Sequence, residues 1–163
     1  MYASPRILSE SRPALYEELL AQVRALLAGE RDATANAANL AALVFHSLPD
    51  LNWAGFYWMK GGELVLGPFQ GKPACVRIAL GKGVCGTAAR EARSIVVPDV
   101  NAFPGHIACD TASRSEVVVP VLHRERVIGV LDLDSSRPAR FTDEDARGLE
   151  AVVRAFVDAT ELG

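Results

Sequence analysis

The sequence predicts an α+β fold. Two helical stretches precede any strand, the extended segments that follow pair across short turns, and an amphipathic helix closes the chain. With 163 residues, half of them apolar, the chain is long enough for one buried core and short for two. A single domain is therefore expected over residues 1–163, with N-terminal helices over about 12–47, a sheet core over about 52–135 and a C-terminal helix over about 142–161.

Each element has its own signal. Ser11, followed by Pro13 in the first turn, opens a segment in which Leu15, Leu19, Val23 and Leu26 recur at helical spacing, with Gly29 just past its end. Asp32 caps a second, alanine-rich helix that runs to Ser47 and stops before Pro49. Asn52 to Met59 and Glu63 to Gln70 form a hairpin about Lys60-Gly61-Gly62. On its first strand Trp53, Gly55 and Tyr57 share one face, and Ala54, Phe56 and Trp58 share the other. Both faces are apolar, so both should be covered. A short strand over Val76 to Leu80, a helix over Thr87 to Ala92 and a strand over Ser94 to Val97 follow. Pro98 to Arg114 has no periodicity, and a loop of this length inside a compact domain is usually functional. Ser115 to Leu122 and Val127 to Asp134 make a second hairpin, which puts Ile128, Val130, Asp132 and Asp134 on one face. Two carboxylates thus continue an apolar row and need compensation. Thr142 caps the last helix, with Leu149, Val152, Val153, Phe156 and Val157 along its stripe.

Composition removes several function classes. No run approaches the roughly eighteen apolar residues that cross a bilayer, and the N-terminus lacks the charged and apolar blocks of a secretory signal. A cytoplasmic protein with no membrane partner is expected. The net charge is −3 and the basic residues are scattered, which argues against nucleic acid as a partner. Gly81 to Gly86 spells G-x-G-x-x-G, but the short helix and the hairpins around it do not make the βαβ unit a dinucleotide requires.

The chemistry gathers between Gly67 and Asp110, which holds all three cysteines, Cys75, Cys85 and Cys109. Each lies at an element edge rather than inside an apolar run, and an odd count in a reducing compartment is no disulfide framework. Cys85 stands near a helix start, where the dipole lowers a thiol pKa. A zinc site from the three cysteines and His106 would lack the close Cys-x₂₋₄-Cys pair such sites usually have. Reactive thiols fit better. A thiolate that takes an oxygen becomes a sulfenic acid, a second cysteine condenses with it, and an outside reductant restores both. Oxygen leaving a sulfoxide needs a proton, for which Glu116, Asp132 and Asp134 are the available strand carboxyls. Trp53 and Tyr57 could wall a thioether or methyl-sulfoxide group.

In chain order, NWAGFYW, GPFQGKPAC, GKGVCGTAA, FPGHIACD, SEVVVP and GVLDLDS resemble the free methionine-R-sulfoxide reductases, a GAF-domain family. The similarity runs from about Leu15 to the C-terminal helix. It implies a six-stranded antiparallel sheet with flanking helices, and a pocket closed by the cysteine-bearing loops. By the same resemblance Cys109 would attack the sulfoxide, Cys75 would resolve the intermediate as a disulfide, and Cys85 would be auxiliary. Glu116 and Asp134 would hold and protonate the sulfoxide oxygen, Asp132 would help bind the substrate amino group, and Trp53 with Tyr57 would enclose the methyl group. The implied substrate is free methionine sulfoxide, the reductant thioredoxin, the assembly a homodimer, and no cofactor is called for. Asn101 stands where the family's pattern has a histidine. The alternative is a small-molecule-binding or redox-sensing GAF domain without catalysis.

Overall fold

The computed structural model describes residues 2–3, 5–7, 9–107 and 109–163. The chain begins with two helices, α1 (Arg12–Leu27) and α2 (Ala33–Ser47), capped as expected. Ser11 Oγ accepts from the Ala14 N–H at 3.3 Å and Asp32 Oδ1 from the Ala35 N–H at 2.8 Å. The first hairpin is β1 (Leu51–Lys60) with β2 (Glu63–Gly71), and the second is β5 (Ser115–His123) with β6 (Arg126–Ser135). Between them lie β3 (Arg77–Ala79), α3 (Gly83–Glu91), β4 (Ile95–Val97) and a 3₁₀ turn at Val100–Ala102. The last element is α4 (Asp143–Ala159).

All six strands join one antiparallel sheet in the order β3-β2-β1-β6-β5-β4. Strands β1 and β6 are central, and their alternation explains why both faces had to be apolar. Ala54, Phe56, Val117, Val119, Leu131 and Leu133 face the layer of α1, α2 and α4, where Leu19, Val23, Leu40, Leu149 and Phe156 are fully buried. Phe156 packs on Phe56 with ring centroids 5.2 Å apart. Burial of a side chain this size contributes about 1.5–3 kcal/mol. Trp53, Tyr57, Val118 and Val130 point the other way, into a second cluster closed by α3 and the loops.

A buried polar cluster pins α1 to α4. Tyr16 Oη donates to Asp145 Oδ1 at 2.8 Å, Arg12 and Arg140 approach the same carboxylate at 3.4 Å each, and the Thr142 N–H donates to Asp145 Oδ2 at 2.8 Å. One aspartate therefore serves as the reciprocal cap of α4 and as the tie to α1. Gly148 leaves the space the Tyr16 ring occupies, since a Cβ there would overlap the ring.

Two boundaries differ from the sequence reading. Helix α3 begins at Gly83 rather than Thr87. Its first turn contains two glycines, poor helix formers, yet Gly86 must be a glycine because its α-carbon lies against the Ala79 carbonyl. The aperiodic stretch from Pro98 contains the 3₁₀ turn, capped by Asp99 Oδ1 accepting from the Asn101 N–H at 2.9 Å. Among the described residues no helix is long and apolar enough to cross a membrane.

Candidate active site

The sheet register builds the floor of a cavity. Asp134 pairs across β1 with Trp53 and across β5 with Glu116, while Asp132 pairs with Gly55 and Val118. Period two then sets Trp53, Tyr57, Glu116, Asp132 and Asp134 on one face. Gly55 sits between the aromatic residues because Trp53 stacks on Phe69, centroids 5.3 Å apart, across the place a Cβ would fill. Trp53 and Tyr57 stack with centroids 5.9 Å apart.

Both aromatic residues also grip the chain above them. Tyr57 Oη donates to the Cys75 carbonyl at 2.9 Å, and Trp53 Nε1 donates to the Lys72 carbonyl at 3.1 Å. The Lys72–Cys75 segment is thereby anchored over the floor. Cys75 and Cys109 are joined as a disulfide with α-carbons 5.7 Å apart, so the two loops meet over the cavity. Next to it, Asp110 accepts from Asn52 Nδ2 at 3.2 Å and from the Ala112 N–H at 2.9 Å, with Lys72 Nζ at 4.0 Å. Asn52 Nδ2 also reaches Ser113 Oγ at 3.0 Å. With the disulfide closed the cavity is small, about 40 Å³. At roughly 10–15 Å³ per water molecule, that is room for about three waters and less than an amino acid needs.

The electrostatics follow from burial: among the described residues no lysine or arginine pairs with Glu116, Asp132 or Asp134. Glu116 and Asp132 are 5% and 6% exposed, and burial pushes both carboxyls well above the ordinary range, with Asp134 raising Glu116 further and Glu116 raising Asp132. Asp134 is raised by burial and then by Asp132. Each carboxyl of the cluster therefore holds its proton more tightly than a solvated acid does. Asp132 Oδ1 is buried and has no hydrogen-bond partner. His106 Nε2 lies 3.6 Å from Glu116 Oε2, but burial lowers the imidazole pKa, so this is a contact of a neutral ring. Asp110 is held below the ordinary carboxylate range, chiefly by the Ala112 N–H, with help from Asn52 and Lys72.

The structure brings together every residue the sequence singled out: Trp53, Tyr57, Cys85, Cys109, Glu116, Asp132 and Asp134 line the cavity, and Cys75 closes it. One expectation is corrected. Cys85 occupies the first turn of α3, where a lowered thiol pKa was expected, yet burial and then Asp132 and Glu116 push it well above the usual value. A helix terminus is worth a fraction of a charge, and it loses to desolvation beside two carboxyls. The residue is also buried, 4% exposed, and faces the cavity rather than the outer surface. A zinc site from three cysteines is likewise set aside, since Cys75 and Cys109 are bonded to each other. Asn101 is exposed and outside the cavity lining. Sequence reasoning missed Asn52, Lys72, Asp110 and Ser113, which tie the two cysteine loops together. Only Asp110, adjacent to Cys109, carried a signal by position.

The chain matches the GAF domain family over residues 34–161. It is 50% identical over 143 residues to the free methionine-R-sulfoxide reductase of Escherichia coli, covering 88% of this chain and 87% of that protein. The protein of the same name from Saccharomyces cerevisiae is 41% identical over 152 residues, with 88% and 84% covered. The X-ray structure of free methionine-R-sulfoxide reductase from Neisseria meningitidis in complex with its substrate superposes with a TM-score of 0.93 at 43% identity, covering 98% of this chain and 95% of that one. A curled antiparallel sheet, a closed cavity and these likenesses agree: the chain belongs to the GAF-domain family of free methionine-R-sulfoxide reductases.

Proposed function

We propose that this protein reduces free L-methionine (R)-S-oxide to methionine. The observation that carries the reading is the Cys75–Cys109 disulfide set over a cavity floored by the three carboxyls of Glu116, Asp132 and Asp134. In the reduced protein Cys109 attacks the sulfoxide. The oxygen passes to its sulfur, giving methionine and a Cys109 sulfenic acid. The Cys75 thiol then displaces that oxygen as water and forms the disulfide, and thioredoxin, an external dithiol, returns both thiols.

Glu116 and Asp134 hold and protonate the sulfoxide oxygen. Their raised pKa values support this role, since burial favours the protonated acid and so keeps a proton beside the sulfoxide oxygen to be given up. Asp132 receives the substrate ammonium through the unpartnered Oδ1, which supports selection of a free amino acid over a peptide residue. Trp53 and Tyr57 enclose the methyl group, and Cys85 acts as an auxiliary thiol. We assign the activity to one domain spanning the chain, working in the cytoplasm as a homodimer.

The test is consumption of the separated R and S epimers of free methionine sulfoxide by the purified protein with dithiothreitol. Turnover of the R epimer alone is expected. Turnover of neither would leave a ligand-binding GAF sensor as the better reading.

A further inference from the structure

We propose that Cys85, Glu116 and Asp132 form a binding site for a thiophilic divalent cation such as zinc or cadmium, at the bottom of the same cavity. Among the described residues these three groups, from α3, β5 and β6, bring a thiol sulfur and two carboxylate oxygens within 4.8 Å of one another, all buried. The sulfur lies 3.9 Å from Glu116 Oε1. A tetrahedral zinc ion with bonds of about 2.3 Å to sulfur and about 2.1 Å to oxygen sets its ligands about 3.6 Å apart for S···O and about 3.4 Å for O···O. Contraction of a few tenths of an ångström, well within side-chain adjustment, brings the sulfur and Glu116 to that spacing.

Two further observations point to a cation. Asp132 lines the cavity, and its buried Oδ1 has no hydrogen-bond partner, the side chain's own contacts being to the other two members of the set, Glu116 and Cys85, so a lone pair is left for a ligand. And among the described residues the ion pairs reach Glu116 only through the neutral His106 and do not reach Asp132. One thiolate and two carboxylates would make a trianionic set, which a dication offsets where no lysine or arginine does. On binding, the metal takes Cys85 as thiolate and both acids as carboxylates, and the thiol proton and any carboxyl protons leave to solvent. No electrons move.

The site differs from a structural zinc centre, because it needs neither Cys75 nor Cys109 and leaves the fourth position to water or solvent. It also shares Glu116 and Asp132 with the substrate site. Cation and amino acid should therefore exclude each other, and zinc should act as a competitive inhibitor. That consequence rests on the reductase reading, whereas the binding itself does not.

The experiment uses the Cys75→Ser/Cys109→Ser double variant, in which Cys85 is the one remaining thiol of three. Titration with cadmium, followed by the thiolate-to-metal charge-transfer band in the ultraviolet, is expected to saturate at one ion per chain and to raise the thermal midpoint. Adding Cys85→Ser should abolish the band. Adding Asp132→Asn should weaken binding at least about tenfold, the scale on which metal sites respond to lost partners. Should Cys85→Ser fail to fold, the near-isosteric Asp132→Asn decides. No band, or a band whose affinity is indifferent to Asp132→Asn, overturns the proposal, and neither result depends on whether methionine sulfoxide is turned over.

Discussion

Replacing Tyr57 by phenylalanine separates the two halves of the proposed reaction. The ring is 2% exposed and stacked on Trp53, and phenylalanine keeps that packing. What is lost is the hydroxyl that donates to the Cys75 carbonyl at 2.9 Å. A hydrogen bond of this kind contributes about 1 kcal/mol net, and the half-buried carbonyl left without a donor adds some of its desolvation cost, for about 1–1.5 kcal/mol in all. If that hydrogen bond holds Cys75 in place for its attack on oxidised Cys109, closure of the disulfide slows about 5- to 10-fold, since about 1.4 kcal/mol is tenfold in rate. Oxygen transfer to Cys109 does not use it. Rapid-quench measurement after mixing reduced protein with free methionine (R)-sulfoxide checks this by following methionine release and loss of free thiols separately. The first turnover of methionine should keep its rate while thiol loss lags. An unaltered closure rate with a slower methionine burst would refute the reasoning and make Tyr57 a substrate contact alone.

Three other outcomes are expected. Cys109→Ser abolishes methionine release, whereas Cys75→Ser keeps a first equivalent and accumulates sulfenic acid, read with a sulfenic-acid probe; full turnover by Cys109→Ser with dithiothreitol would exclude it as the nucleophile. Asp132→Ala raises KM for free methionine sulfoxide at least about tenfold with a smaller change in kcat, and an unaltered KM would count against an ammonium contact. The third concerns stability. The folded pKa of Asp132 lies above its unfolded value, so its contribution is fully present below the ordinary carboxylate range, near pH 4, and is lost as pH rises through the folded pKa. Asp132→Asn, a near-isostere of the protonated acid, should match the parent in thermal midpoint at about pH 4 and exceed it increasingly toward neutrality. Each kcal/mol is worth about 2–4 °C in a chain of this size, and a gap that is flat with pH contradicts the sign.

The sequence alone determined the local elements and the chemical inventory. Caps such as Ser11, Asp32 and Thr142 act on neighbours within one turn, and strand alternation is local, so the shared face of Trp53, Gly55 and Tyr57 and that of Asp132 and Asp134 were legible without a fold. The motifs around Cys75 and Cys109 pointed to the right family for the same reason. Register, burial and loop closure were decided only in three dimensions. Nothing local sets Glu116 beside Asp134, or ties Asn52 to Asp110 across 58 positions. Cys85 is the clearest case: its sequence neighbours promise the positive end of a helix, but its pKa is raised by desolvation and by the carboxyls of Asp132 and Glu116 on β6 and β5. Electrostatic energy depends on distance and dielectric, and both are properties of the folded interior rather than of the order of residues.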